Sequence, residues 1–392
     1  MSQGDIVPAP ALKILALADD ATGALEVGAR FCDAGIDARV RFEAKNTGSS
    51  AAIVIDTETR HLPAKEAYRQ IRYLARNARG PGRTQIFLKT DSTLRGPIAS
   101  GFRALLDAWP GLPLIYAPAY PALGRTVRDG ELLVDGKPLS QTAFATDPLN
   151  PSREGSIPSL LRSIGAEIVT VRDSSGLRPS LAGGRILVCD GTTEDDLDAV
   201  AAAVYGIRCV VAGTAAFASS WAETISTWDA PAWARPSVRS CLVVNGSLHP
   251  GSHRQMAISG LPAISHDPSG DAWDLGTRLA ALLDRHQWAS LCASADRAGE
   301  PLLVANHAAR SAAHALRLAQ PDCLVVFGGD TLIAILRELG ISHAQPRTEI
   351  LPGVPVSTIY PVSPRAMLLV TKAGGFGPPD YLQRIREILE RA

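Results

Sequence analysis

The sequence has few aromatic residues, at 5%, and no excess of charge of either sign, with Lys+Arg and Asp+Glu both at 39 in 392 residues. A nucleic-acid or anionic-membrane partner would leave a basic excess or stripe, so neither partner is expected. Cysteine is also sparse. The six lie at 32, 189, 209, 241, 292 and 323, with no CxxC pair among them. Metal-binding pairs and a dense disulfide framework are therefore both excluded. Cys189 and Cys323 sit in apolar runs, which suits reduced core thiols and a cytoplasmic address. The N-terminus shows neither the basic region nor the apolar stretch of a signal peptide. Long hydrophobic runs are missing: residues 199–218 come closest, but Gly206 and Arg208 interrupt them. That segment reads as a helix followed by a buried strand, not as a membrane span. No GxxxxGK[ST], GxGxxG or GxSxG occurs. A P-loop NTPase, an ordinary Rossmann dehydrogenase and a serine hydrolase each lose their main support.

What is present is 46% apolar residues with 34 Gly and 28 Pro. The length suits two domains, and the composition suits tight helix-on-sheet packing with many turns. Short β-branched runs at 13–18, 37–42, 51–55, 85–88, 114–117, 167–171, 185–189 and 208–212 read as strands. Between them, 22–34, 64–78, 97–109, 194–204 and 215–227 have helical spacing. Residues 229–240 hold two prolines and no apolar period, and read as a linker. The pattern then restarts, with strands expected at 241–244, 301–305, 323–327 and 366–370 and helices at 250–259, 272–287, 307–319, 331–339 and 380–391. Near-continuous apolar strands alternating with helices predict an α/β protein. Two α/β domains are expected, 1–230 and 240–392, each a mostly parallel sheet flanked by helices, with the site in the cleft between them.

In parallel α/β sheets ligands bind beyond the carboxyl ends of the strands. Asp19-Asp20-Ala21-Thr22-Gly23 follows the first strand, and Asp56-Thr57-Glu58-Thr59-Arg60 follows the run at 51–55. Lys89-Thr90-Asp91-Ser92-Thr93-Leu94-Arg95-Gly96 follows 85–88, and Pro118 to Pro121 with Gly124-Arg125-Thr126 follows 114–117. Carboxylates, hydroxyls and Arg or Lys recur together, the set a polyhydroxylated acid needs. Asp19-Asp20 and Asp91-Ser92-Thr93 also have the composition of helix N-caps. Convergence of several such loops favours a site over a series of caps.

The C-terminal half has Asn245-Gly246-Ser247, Gly328-Gly329-Asp330-Thr331 and Lys372-Ala373-Gly374-Gly375-Phe376-Gly377 after strand-like runs. Glycines allow close backbone approach, and a following helix N-terminus attracts phosphate. His249 and His253 lie four apart across Pro250 without the Glu of HExxH, so they read as capping or surface residues.

Taken together these loops resemble the four-carbon acid sugar kinase family, over nearly the whole chain and in order. Asp91-Ser92-Thr93-Leu94-Arg95-Gly96 is the most specific element, and Pro352-Gly353-Val354-Pro355 also fits. The resemblance implies ATP-dependent phosphorylation of threonate, erythronate or 3-oxo-tetronate. The N-terminal domain would hold the acid and the C-terminal domain ATP. It departs at Asn245-Gly246-Ser247, where the family has Ser-Gly-Ser, at Lys89-Thr90, and at Asn306 to Arg310 in place of a Ser-Gly-rich loop.

On this reading Arg60 and Arg95 grip the substrate carboxylate, and Asp91, Ser92 and Thr93 bind its hydroxyls. Asp20 contacts the reacting hydroxyl and accepts its proton. Ser247, Gly328, Gly329, Asp330, Thr331 and Gly374 hold ATP with Mg²⁺, toward which Asp330 is directed. The partners are then the sugar acid and ATP, with a homodimer left open. Two other classes remain. A haloacid-dehalogenase-type phosphatase needs carboxylates two apart, whereas Asp19 and Asp20 are adjacent. A non-catalytic sugar-acid-binding module would fit the altered 245–249 loop.

Overall fold

A computed structural model describes residues 13–43, 50–78, 84–146, 151–226, 233–266, 268–293, 301–362, 365–374 and 376–391. In the N-terminal half the strands are β1 (Lys13–Ala18), β2 (Ala38–Arg41), β3 (Ala52–Asp56), β4 (Thr84–Lys89) and β5 (Leu114–Ala117). After a small antiparallel sheet of β6 (Arg125–Arg128), β7 (Glu131–Val134) and β8 (Lys137–Pro138) come β9 (Ile168–Val171), β10 (Ile186–Cys189) and β11 (Val210–Gly213). The large strands run parallel in the order β2-β3-β1-β4-β11-β5-β10-β9. β1, β3 and β5 are buried nearly throughout, as expected of strands covered on both faces.

The C-terminal half adds β12 (Cys241–Asn245), β13 (Ala263–His266), β14 (Trp288–Ala293), β15 (Cys323–Phe327), β16 (His343–Leu351), β17 (Val354–Val362) and β18 (Arg365–Lys372). Strands β13-β14-β12-β15-β18 are parallel, and β17 and β16 continue the sheet antiparallel. β16 then pairs with β2 through His343 and Ala344, so the two halves share one continuous sheet of fifteen strands among the described residues. The helix Ala21–Asp33 packs across this joint. A Cβ on Gly28 would lie 2.7 Å from Val40 and 2.9 Å from Pro346, so only glycine allows that approach. Near the same joint Arg30 forms an ion pair with Glu349 of β16. Tyr120 donates to Glu26 at 2.7 Å.

Several expectations need correction. The run 301–305 is not a strand but the start of the helix Pro301–Ala319, and the strand is Trp288–Ala293. Pro301 suits the first helical position, and a short apolar run cannot be told from buried helix by periodicity alone. Asn306 to Arg310 therefore lie inside a helix and do not form a strand-end loop. The β6–β8 sheet and the hairpin of β16 and β17 were not anticipated either. Pro352 and Gly353 form the turn of that hairpin. Of the linker, 229–232 lie outside the described residues, and 233–240 run without helix or strand. Among the described residues no helix is long and apolar enough to cross a membrane.

Candidate active site

β1 lies between β3 and β4, so the loops leaving the carboxyl ends of these three strands meet. Arg60 stands at the centre of the meeting point. Its Nε and Nη2 each donate to Asp19 at 2.9 Å, its Nη1 donates to Asp20 Oδ2 at 2.6 Å, and Nη2 lies 3.5 Å from Asp91. Arg95 forms a second fork, on Asp91, at 3.0 and 2.7 Å. Asp91 Oδ1 also accepts from the backbone N–H and hydroxyl of Thr93. The turn that brings Arg95 back over Asp91 needs Leu94 and Gly96 at positive φ, 60° and 85°. Ser92 lines the same cavity beside Lys89, Arg125 and Phe144.

The charges are unevenly balanced. Burial pushes Asp91 up, but Arg95 and Arg60 outweigh it and hold the carboxyl well below the usual range. Burial likewise opposes ionisation of Asp20, and Arg60 with Lys89 overcomes it, so Asp20 lies below its usual value. Its neighbour Asp19 is raised, because burial there outweighs the pull of Arg60. The two adjacent carboxyls are thus shifted in opposite directions, Asp20 down and Asp19 up.

Asp20 both caps a helix and lines the cavity. Its Oδ1 accepts from Gly23 N at 2.9 Å, capping the helix Ala21–Asp33, and Oδ2 accepts from Thr22 and Arg60. A carboxylate offers about four acceptor positions. The one left belongs to Oδ1, with Lys89 nearby: a Cβ on Gly23 would meet Asp20 Oδ1 at 2.8 Å and Lys89 Nζ at 2.9 Å.

The Gly-rich loops pack on one another. A Cβ on Gly246 would lie 1.8 Å from Thr331 Oγ1, and one on Gly374 2.0 Å from Ser247 Oγ. Ser247 Oγ accepts from His249 N, and His249 caps the helix Pro250–Ser259 through Gly251 N. Gly328, at φ 107°, precedes the helix Gly329–Glu338, which no side chain caps. Its first-turn N–H groups are accordingly available to an anion. Asn245 Nδ2 is buried beside these loops without a hydrogen-bond partner.

The two half-sites touch. A Cβ on Gly329 would lie 3.1 Å from Asp20 Oδ2. His61 Nε2 is 3.1 Å from Asp330 Oδ1, which raises the imidazole pKa, and Arg337 pairs with Glu58. Asp20, Arg60, Asp91, Ser92, Thr93 and Arg95 are thus brought to one cavity, with the start of the 329–338 helix against it. Ser247 and Gly374 pack on each other and do not line the cavity.

Some residues of this region were given no role from sequence. Lys89 ends an apolar strand, a placement that marks a buried charge. Phe144 and Phe376 also line the cavity. Lys372 is almost fully buried between Phe327 and Phe376 and donates to the carbonyls of Ala373 and Phe376. Burial lowers its pKa to about 7.

Two domain models match the chain. A sugar-binding N-terminal domain model matches residues 14–221, and a nucleotide-binding C-terminal domain model matches 278–382. The chain belongs to the four-carbon acid sugar kinase family. It is 28% identical to a D-threonate kinase of Bordetella bronchiseptica, over 95% of this chain and 96% of that one. It is 31% identical to a D-threonate kinase of Cupriavidus necator, over 93% and 94%. Among solved structures, a Salmonella typhimurium LT2 protein described as a putative tRNA synthase superposes with a TM-score of 0.80. It is 21% identical, with 96% of this chain and 99% of that one covered, a likeness of fold.

Gly329 supplies a direct check on the junction. Gly329→Ala should leave stability unchanged or slightly raised, since alanine is the better helix former. The added methyl crowds Asp20, so turnover should fall by roughly 3- to 10-fold, about 0.6–1.4 kcal/mol. Steady-state rates beside thermal melts would test this, and a variant as active as the parent would refute the crowding.

Proposed function

We propose that this chain transfers the γ-phosphoryl group of ATP to a hydroxyl of a four-carbon sugar acid. The observation that carries the reading is the contact between Asp20 and Gly329. It sets a carboxylate whose pKa is held down by Arg60 against the uncapped start of a Gly-rich helix. Phosphoryl transfer needs positioning and charge neutralisation more than covalent help. Asp20 orients the reacting hydroxyl and takes its proton, while Lys89 offsets the negative charge that gathers there. Asp91, Ser92 and Thr93, with Arg60 and Arg95, form the sugar-acid side. Ser247, Gly328 to Thr331 and Gly374 form the nucleotide side.

Mg²⁺ fits as an ion carried by the phosphates. No cluster of three or more His, Cys, Asp or Glu side chains suited to a metal occurs among the described residues, and Asp330 stands as a single carboxylate at the helix start. Mg²⁺ ordinarily binds through one or two carboxylates plus substrate phosphates, and it would neutralise phosphate charge there.

The test is ADP release from Mg-ATP with D- and L-threonate, D- and L-erythronate and their 3-oxo forms. Turnover with at least one acid is expected. No turnover with any of them, together with no calorimetric binding of ADP, would overturn the assignment.

A further inference from the structure

The cavity holds more cationic side chains than Arg60 and Arg95, and their surroundings differ. Arg60 and Arg95 are both engaged with aspartates. Arg125 is 6% exposed and has no ion pair among the described residues. Its position is fixed by the backbone: Arg125 N donates to Tyr120 O at 3.0 Å and Tyr120 N to Arg125 O at 2.8 Å. Its Nη1 donates to the carbonyl of Leu123, and its Nε is buried with no partner. The guanidinium lies 5.6 Å from the centre of the Phe144 ring, and that of Arg95 lies 5.9 Å from the same centre. From the C-terminal half His249 stacks on Phe144, with ring centroids 6.4 Å apart.

A buried cation with no direct ion pair is costly even with Asp135 and Asp91 acting on it from a distance, and a fork with an open N–H is shaped for a carboxylate. We propose that Arg125 is the specificity residue that binds the substrate's carboxylate, with Phe144 excluding water from the contact. This rests on the sugar-acid reading above and deepens it. The acid would then lie with its carboxylate at the Arg125 and Phe144 end and its reacting hydroxyl at Asp20. Arg60 and Arg95 hold the aspartates that read the hydroxyls. Lys89, the other cavity cation without an ion pair, sits beside Asp20 and donates to Thr90 O, so it belongs to the reacting end.

The experiment compares each acid with its primary amide, which keeps the hydroxyls and loses the charge. Binding and KM are measured for the parent, Arg125→Gln and Arg125→Lys. In the parent the acid should be strongly preferred. In Arg125→Gln the acid-to-amide preference should fall by about 10- to 100-fold, the range expected for a charge-assisted fork, mainly through KM. Arg125→Lys keeps the charge without the fork and should lose about tenfold of that preference, which covers failure of the Gln variant to fold. An unchanged ratio in both variants overturns the role of Arg125 while leaving the kinase reading intact. A parent that neither binds nor phosphorylates any of the acids overturns both.

Discussion

Asp20→Asn is expected to lower kcat by about 10²- to 10⁴-fold, the usual worth of a positioned proton acceptor. The substitution separates charge from structure unusually well. Asparagine caps helices as well as aspartate does, so its Oδ1 can still accept from Gly23 N and the helix Ala21–Asp33 should keep its start. What is lost is the negative charge beside Lys89, together with the Oδ2 contacts to Arg60 and Thr22. Because Arg60 still holds Asp19 through two bonds, melting should shift only slightly. The loss should appear in kcat more than in the KM for either substrate, since an interaction gained in the transition state is the one removed. Rates within about threefold of the parent, with the acid still bound, would remove Asp20 from the chemistry and leave it as a cap.

That Asp20 caps a helix and lines the cavity at once explains how far the sequence could be read. Strand-end loops in a parallel sheet must converge, so Asp19-Asp20, the Asp56 to Arg60 loop and the Asp91 to Arg95 loop could be grouped before any coordinates. The pairing of Asp19 and Asp20 with Arg60 could not, because side chains 40 residues apart offer no period. Lys89, Arg125 and Lys372 were read only as members of strand-end loops and given no role, and they share one property: each is a buried cation. Periodicity sees only the apolar residues around it. The 301–305 run failed for a related reason, since Leu302, Leu303 and Val304 fit a strand or a helix equally well, and what decides between them is where the neighbouring chain packs. The pairing of β16 with β2, which sets Gly329 against Asp20, depends on contacts about 300 residues apart. Local pattern carries no information at that range.

Arg60→Met should destabilise the N-terminal half by about 3–5 kcal/mol, because it removes one partner from a buried charge cluster and keeps the others. Arg60 is 9% exposed and is bonded to Asp19 and Asp20, with Asp91 at 3.5 Å, so three carboxylates lose a shared counter-ion. Arg95 still serves Asp91, which places the damage chiefly at Asp19 and Asp20. For a domain of this size the melt should fall by roughly 10 °C. The deficit should also depend on pH with a definite sign. In the parent, Asp20 and Asp91 have folded-state pKa values below their unfolded ones. Each adds stability that is present above the ordinary aspartate range and is lost as pH falls through the folded value. Without Arg60, burial is no longer offset at Asp20, so its folded pKa rises and folding favours the protonated acid. The gap between parent and variant should therefore be widest near pH 7.5 and narrow toward pH 5, as the variant's carboxylates take up protons. Arg60→Lys, with a charge but no fork, should fall between the two. Denaturant titrations of all three proteins at both pH values check the ordering. A pH-independent gap, or a lysine variant as unstable as the methionine one, would show that Arg60 acts by packing and not by charge.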